Sequence, residues 1–249
     1  MSVRVRVCYE KRGFACFVPH VALASIFTRS ALRAGLSLTQ TLGCSPHPKM
    51  SFAPELPAGV VALGELVDVY LEEVPEDLLV RWNAAMPVDF RLLSFELPEE
   101  GAPSLGKVCQ SARYWVRCVG SLASEELLAR ARAFYGDALL RGASGVDVEE
   151  DGSADWVDFV LARPAQNGIG GWVRRMIADG VLEGWQDLNV VRAAIGPLAT
   201  VLGVDCGPAE GETLRSGTEE RLSGPERLPL RAGPFGRLKI YESRRRSGT

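Results

Sequence analysis

The sequence lacks a run of about 18 consecutive apolar residues, so it predicts no membrane-spanning helix. Residues 1–12 alternate valine with arginine, which is not the apolar stretch of a secretion signal. The formal net charge is only -3, so nucleic-acid binding would require a local basic patch rather than global charge. With 47% apolar and 24% charged residues, we expect a globular protein of the cytoplasm with no membrane partner.

Histidine is scarce, and the cysteines follow no metal-binding pattern. The histidines are His20 and His47, and the six cysteines form no CxxC pair and no CxxxCxxC motif. An iron–sulfur cluster needs thiolates close in sequence, and zinc needs four ligands. Cys44 and His47 form a CxxH pair, but no second pair supplies the remaining two zinc ligands. We therefore expect reduced cysteines, no metal and no cofactor.

Other motifs that carry chemistry are also absent. The sequence contains neither GxxxxGK[ST] nor GxGxxG, so it predicts no nucleotide-binding loop. It contains no nucleophile elbow. Glu65 and Asp68 lie three residues apart in a predicted strand, so their carboxylates are expected on opposite faces rather than as a catalytic pair.

Hydrophobic periodicity predicts six elements in the first 100 residues. Leu23, Phe27 and Ala31 recur at helical spacing within residues 20–34, and Gly35 is a typical helix stop. Residues 65–72 alternate cleanly, as expected for a strand with one wet face. The full order is a strand at 2–8, a helix at 20–34, strands at 50–53 and 65–72, a helix at 75–86 and a strand at 89–97.

The same order of elements repeats in the second part of the chain. The pattern predicts a strand at 112–119, a helix at 124–135, strands within 139–149 and at 155–161, a helix at 170–179 and a strand at 188–195. We therefore predict an α+β fold of two tandem ferredoxin-like βαββαβ halves, with antiparallel sheets and helices on one face. The halves span residues 1–100 and 111–197, joined by a polar linker.

The composition changes after residue 203. Residues 204–249 are rich in Gly, Pro, Glu and Ser, which predicts a largely flexible tail. One added strand at residues 238–241 is expected within it. The sequence assigns no ligand to the basic cluster at residues 244–246.

The most distinctive segment is residues 43–68, and it resembles a known family. The resemblance is carried by Pro46, His47, Pro48, Lys49, Ser51, Phe52, Ala53, Pro54, Leu56, Pro57, Gly59, Gly64, Glu65, Val67, Asp68 and Val69. Further matches are His20, Arg29, Leu32, Arg33, Ala34, Gly35, Asn83, Ala84, Pro87 and the stretch Ala102, Pro103, Ser104, Leu105. Together these residues resemble the bacterial radical-SAM-linked family, an uncharacterised domain found alone or fused to radical-SAM proteins. The resemblance covers about residues 9–116.

The resemblance implies association with a radical-SAM protein, or action on the same substrate. Because the cysteine motif is missing, this chain is not itself the radical enzyme. The sequence also departs from the family pattern, since Ala22 stands where a carboxylate is usual and Cys44 where an aromatic is usual.

The candidate site residues cluster around the proline-rich loop and the first helix. His47 lies in a Pro-His-Pro-Lys loop stiffened by its prolines, where it either takes part in function or pins the loop. His20 begins a helix, where it either contacts substrate or only caps and packs. Lys49 and Ser51 are candidates for contacting a phosphate. Arg29, Arg33 and Lys49 form either a basic patch, if the loop folds back on the helix, or a solvated charged face.

These observations lead to one expected function and two alternatives. We expect a substrate-recognition or accessory module of a radical-SAM system that binds RNA rather than catalysing a reaction, and we expect no DNA partner. The first alternative is an RNA-acting enzyme with His47 as general acid/base and Lys49 as charge stabiliser. The second is a purely structural protein–protein interaction module.

Overall fold

The computed structural model describes residues 2–146, 148 and 155–203. The strands in this part of the chain are β1 (Val3–Lys11), β2 (Met50–Phe52), β3 (Val61–Leu71), β4 (Phe90–Glu96), β5 (Ser111–Cys118), β6 (Leu139–Val146), β7 (Trp156–Ala162) and β8 (Leu188–Gly196). The helices are α1 (His20–Arg33), α2 (Leu78–Ala85), α3 (Leu105–Val108), α4 (Ser124–Tyr135), α5 (Ile169–Ala178) and α6 (Leu198–Leu202). Short 3-10 turns occur at Gly13–Phe17 and Trp185–Asp187.

The elements form where the periodicity predicts them. In α1 the buried face consists of Leu23, Phe27, Ser30 and Ala31, and the helix is followed by Gly35 with φ +70°. Every strand and helix predicted between residues 2 and 195 is present, with ends that differ by a few residues. Helices α3 and α6 were not predicted from the sequence, because four- and five-residue helices show too little periodicity to detect.

All eight strands belong to one open sheet of order β4-β1-β3-β8-β5-β7-β6, with β2 paired to β3 off this path. Every pairing is antiparallel except β3 with β8. The predicted α+β class is therefore confirmed, but the expectation of separate sheets is not met, since one mostly antiparallel sheet runs through both halves. The halves join where Val61 and Ala62 pair in parallel with Val191 and Arg192. The proposed domain limits, 1–100 and 111–197, stay a prediction.

An irregularity in β3 shapes this junction. Tyr9 pairs with Glu65, whereas Lys11 pairs with Ala62, so β3 carries an extra residue between them. Because of this bulge, Ala62 and Glu65 both face the helices. Gly64 lies at the bulge, and a Cβ there would approach the Ala193 carbonyl oxygen to 3.3 Å. A residue without a side chain therefore lets β3 and β8 come together.

Helices α1, α2, α4 and α5 lie on one side of the sheet, over two hydrophobic cores. The core under α1 and α2 includes Phe27, Val67 and Trp82, and the core under α4 and α5 includes Tyr114, Leu127 and Trp172. A smaller cluster lies on the opposite side, which we call the open face. Its buried members are Cys16, Val61, Leu63, Val148, Trp156 and Val191.

The linker between the halves is held down by two arginines of β1. Arg4 and Arg6 both donate to Asp68, at 2.9 and 2.8 Å. They also donate to the carbonyl oxygens of Ala102 and Pro103, at 2.8 and 3.0 Å. These contacts fix the backbone of the linker at residues 102–103 against β1 and β3.

Two predictions fall on residues that the structure does not describe. The flexible tail at 204–249, with its strand at 238–241, lies outside the described residues.

Within the described part, no helix is long and apolar enough to cross a membrane.

Candidate functional site

His20 begins α1 and is half-buried at the helix side of the sheet. Its ring packs edge-on against Phe52, with the centroids 5.9 Å apart. Burial lowers the pKa of His20, and the Glu55 carboxylate opposes that shift only in part. The neutral imidazole is therefore the favoured form near neutral pH.

His47 holds together a two-stranded ribbon that precedes β2. Its carbonyl accepts from the Thr41 N–H at 2.8 Å, and its own N–H donates to Thr41 Oγ1 at 3.2 Å. The Nδ1 atom lies 3.1 Å from the same hydroxyl and 3.3 Å from the Ser45 carbonyl oxygen. These local contacts agree with the loop-pinning interpretation, although the ring is exposed and accessible to a ligand.

Lys49 and Ser51 lie at the start of β2. The Lys49 Nζ sits 3.9 Å from the centroid of the Tyr70 ring, a cation–π distance. Tyr70 alternates in β3 with Val69 and Leu71, which are buried in the core under α1. Lys49 therefore lies on the open-face side, and the exposed Ser51 is paired opposite Asp68.

Arg29 and Arg33 are exposed on α1, in the helix layer. The predicted site residues are thus divided between two regions of the molecule. His20, Arg29 and Arg33 belong to the helix side, whereas Lys49 contacts a ring on the open-face side. Their roles in binding stay predictions.

A buried ion pair joins the two halves on the helix side. Arg192 of β8 donates from Nε to Glu65 Oε1 at 2.5 Å, and its Nη2 donates to the second carboxylate oxygen. The two side chains are 1% and 5% exposed. Arg192 also donates to the carbonyl oxygens of Pro54 and Glu55, at 3.0 and 3.4 Å. The arginine therefore fixes the proline-rich loop against both halves.

Lys11 lies close to this pair and is itself buried. Its ammonium donates to the Val18 carbonyl oxygen at 3.2 Å. Burial lowers the pKa of Lys11, while the Glu65 carboxylate acts in the opposite direction. The lowered pKa of His20 is therefore due first to burial, and the Arg192 and Lys11 cations add to it, while the Glu55 and Glu65 carboxylates act in the opposite direction.

The open face of the second half carries a row of arginine and tryptophan on β5. Arg113, Trp115 and Arg117 are alternate residues of the strand and are half-buried. The Arg113 guanidinium makes a bidentate contact with Asp158 of β7, at 2.7 and 2.8 Å, and lies 5.7 Å from the Trp115 ring. Arg117 lies 5.2 Å from the Trp156 ring. We call Arg113, Trp115 and Arg117 the open-face row.

A pocket of about 220 Å³ lies where the two halves meet, beside the start of β8. Its lining residues are Phe17, Ala58, Gly59, Trp185, Gln186, Leu188, Asn189 and Val190. Aromatic rings thus form part of the wall, and two side-chain amides supply polar groups. Phe17 remains 46% exposed, so the aromatic wall is reachable from solvent.

The open-face row and this pocket are neighbours. Arg117 of β5 pairs directly with Asn189 of β8, so the two side chains point to the same face of the sheet. Directly paired residues have Cβ atoms about 4.5–5.5 Å apart. A ligand that lies along the open-face row and contacts Arg117 is therefore next to Asn189 at the pocket.

The described residues contain no group of three His, Cys, Asp or Glu side chains arranged to hold a metal ion. The buried carboxylates of Glu65, Asp68 and Asp158 each bind an arginine.

Four residues of the site were not predicted from the sequence: Arg192, Trp115, Asn189 and Trp185. A signal for the open-face row was present, because aromatic and basic residues alternate in the strand predicted at 112–119. No signal pointed to Arg192, since pairing of β8 with β3 depends on contacts far apart in sequence.

The fold and the site describe an α+β protein with one mostly antiparallel sheet and a pocket where its halves meet. Comparison with family models places it among bacterial proteins. The model described as an uncharacterized protein conserved in bacteria, DUF2344, matches residues 4–163. This is more than half of the 249 residues, so the chain belongs to that family. No curated protein matches the chain.

Proposed function

We propose that this protein is an RNA-binding accessory module of a radical-SAM system, which recognises the substrate and leaves catalysis to its partner. The observation that carries the RNA part is the open-face row, in which the half-buried Trp115 lies between Arg113 and Arg117 on an inner strand of the sheet. Single-stranded RNA is bound by stacking of bases on aromatic rings, with arginines contributing charge and stacking.

The finer fold assignment belongs to the same proposal. Each half repeats the order βαββαβ, and the strand orders β4-β1-β3 with β2, and β8-β5-β7-β6, follow one scheme. This agreement supports two ferredoxin-like modules. In such a module the first and third strands lie at the centre of the sheet, where RNA-recognition domains carry their stacking aromatics. In the second half those strands are β5 and β7.

The binding interpretation is also favoured by the chemistry of the charged groups. The buried carboxylates are paired with arginines, and His47 is engaged with Thr41. No observation specifically favours His47 as a general acid/base. Lys49 remains a candidate phosphate contact beside Tyr70.

The radical-SAM part rests on the sequence resemblance. Its test is capture of the native protein from a bacterium that encodes it, followed by mass spectrometry. Recovery of a radical-SAM protein in near-stoichiometric amount supports this part, and its consistent absence from the captured material contradicts it.

The RNA part is tested by fluorescence anisotropy with a labelled single-stranded RNA 12-mer of mixed sequence. We expect Trp115→Ala to weaken binding by about 5- to 150-fold, since stacking of one base on an aromatic ring is worth about 1–3 kcal/mol. The matched control is Phe134→Ala, which removes an exposed ring from α4 on the helix side. Equal affinity of wild type and Trp115→Ala, with folding intact by circular dichroism, contradicts the proposal.

Lys49 offers a second, independent variant. If it contacts one phosphate, Lys49→Ala weakens binding and reduces the slope of log K against log salt by about one contact. The same oligonucleotide as single-stranded DNA binds less tightly if the 2′-hydroxyl groups are read.

A further inference from the structure

The pocket between Phe17 and Trp185 has a size that limits its occupant. Its volume is about 220 Å³, below the roughly 300–1,000 Å³ of pockets that hold drug-sized ligands. One planar ring system is therefore a better fit than a whole nucleotide or a peptide segment. The aromatic side chains at its wall suit a flat, polarisable group.

Asn189 gives the pocket a polar edge. The residue lines the pocket and is only 8% exposed, so little of it is open to solvent outside the pocket. A side-chain amide offers both donors and an acceptor. The pocket thus contains a group that can form two hydrogen bonds with one ligand.

The backbone adds to this edge. β8 runs from Leu188 to Gly196, but β3 pairs with it only at Val191 and Arg192. The first residues of β8 are paired with β5 on one side and border the pocket on the other. Alternate residues of a strand direct their N–H and C=O groups to opposite neighbours. Backbone groups therefore face the pocket as well.

We propose that this pocket binds one unstacked adenine base of an RNA strand that lies on the open-face row. This inference rests on the proposed function and names its sequence preference. An asparagine amide pairs with adenine in a bidentate manner, donating to a ring nitrogen and accepting from the exocyclic amine. Phe17 and Trp185 supply the stacking surface. The pairing of Arg117 with Asn189 places the pocket one residue from the row.

The first experiment titrates the full chain with the four ribonucleoside 5′-monophosphates and follows the Asn189 side-chain amide and Trp185 indole resonances by NMR. We expect saturable shifts with AMP at least about tenfold tighter than with the other three. The variant Asn189→Asp keeps the shape but loses the donors, so the preference should move towards CMP, whose amine a carboxylate accepts from. A merely structural role for Asn189 would not change the preference in this direction.

The second experiment blocks the pocket without touching the row. Ala58 is exposed at the pocket wall, so Ala58→Trp fills the space, and Ala129→Trp on α4 is the matched control. By anisotropy, we expect Ala58→Trp to retain RNA binding and lose the preference for an A-containing 12-mer over a U-only 12-mer.

The outcomes separate the two levels of the proposal. If wild type binds RNA but AMP causes no preferential shift, or if N-acetyl-tryptophanamide occupies the pocket instead, the adenine inference is overturned and RNA binding stands. If Ala58→Trp keeps the preference for adenine, the inference is overturned as well. If wild type binds no single-stranded RNA of either sequence, the proposed function itself is overturned.

Discussion

The ion pair between Arg192 and Glu65 gives the sharpest test of how the two halves are held together. Glu65→Leu removes the only carboxylate that contacts the Arg192 guanidinium within the described residues, while the carbonyl oxygens of Pro54 and Glu55 remain. Burial lowers the pKa of Arg192, but Glu65 and Tyr114 together raise it by more, so the net shift is upward. Because a guanidinium is not deprotonated in proteins, the arginine stays charged after Glu65 is removed.

The expected loss follows from an uncompensated buried charge. Removing one partner of a buried pair destabilises a protein by about 3–5 kcal/mol. For a chain of this size that corresponds to a decrease in Tm of roughly 6–20 °C. A surface pair gives the comparison, because Glu126→Ala on α4 breaks the exposed contact with Arg130 and should change stability by less than about 0.5 kcal/mol.

The double variant separates charge from packing. Glu65→Leu with Arg192→Met replaces the pair by apolar groups, and such replacements are often neutral or stabilising. We expect the free energy of unfolding, measured in urea, to be much higher for the double variant than for Glu65→Leu alone. Two results would falsify this reasoning. One is a loss of less than about 1 kcal/mol in the free energy of unfolding of Glu65→Leu. The other is a loss in the double variant as large as the losses of Glu65→Leu and Arg192→Met added together.

Three further predictions concern other buried polar groups. Ser30→Ala should lower the free energy of unfolding by about 1–3 kcal/mol, since it leaves the Trp82 indole N–H, now 2.8 Å from the Ser30 hydroxyl, without a partner. By NMR titration the pKa of His20 should lie below the ordinary 6.5. Because this pKa is lower in the folded than in the unfolded protein, the free energy of unfolding should be highest above about pH 6.5 and should decrease as the pH falls through the folded pKa. Burial raises the pKa of Cys16 to about 11, so iodoacetamide at pH 8 should label the exposed Cys44 much faster, as peptide mapping would show.

The strand and helix order was predictable from the sequence, because each element carries its own periodicity. Glu65 and Asp68 illustrate how far that reasoning extends. Alternation placed them on opposite faces, and they bind different arginines, Arg192 and Arg6. Alternation within one strand does not show which strand pairs with it, so the two arginine partners could not be predicted from the sequence.

The site was harder to predict than the fold. The proline-rich loop drew attention to His47 and Lys49, and the structure explains part of its pattern by contacts within the ribbon and with Tyr70. The pocket is formed by segments near residues 17, 59 and 189, which no sequence window contains together. Trp185 and Asn189 therefore became candidates only once β8 was placed.

The position of β8 shows that the fold of this chain extends beyond the residues that match the family model. The family match ends at residue 163, yet β8 lies between β3 and β5 in the sheet, beyond that limit in sequence. A chain cut at residue 163 would leave β5 without one of its two neighbours and Glu65 buried without Arg192. It would also lose the guanidinium that holds Pro54 and Glu55. The proline-rich loop at residues 54–55 is therefore stabilised from outside the matched region, and residues 164–203 belong to the same folding unit.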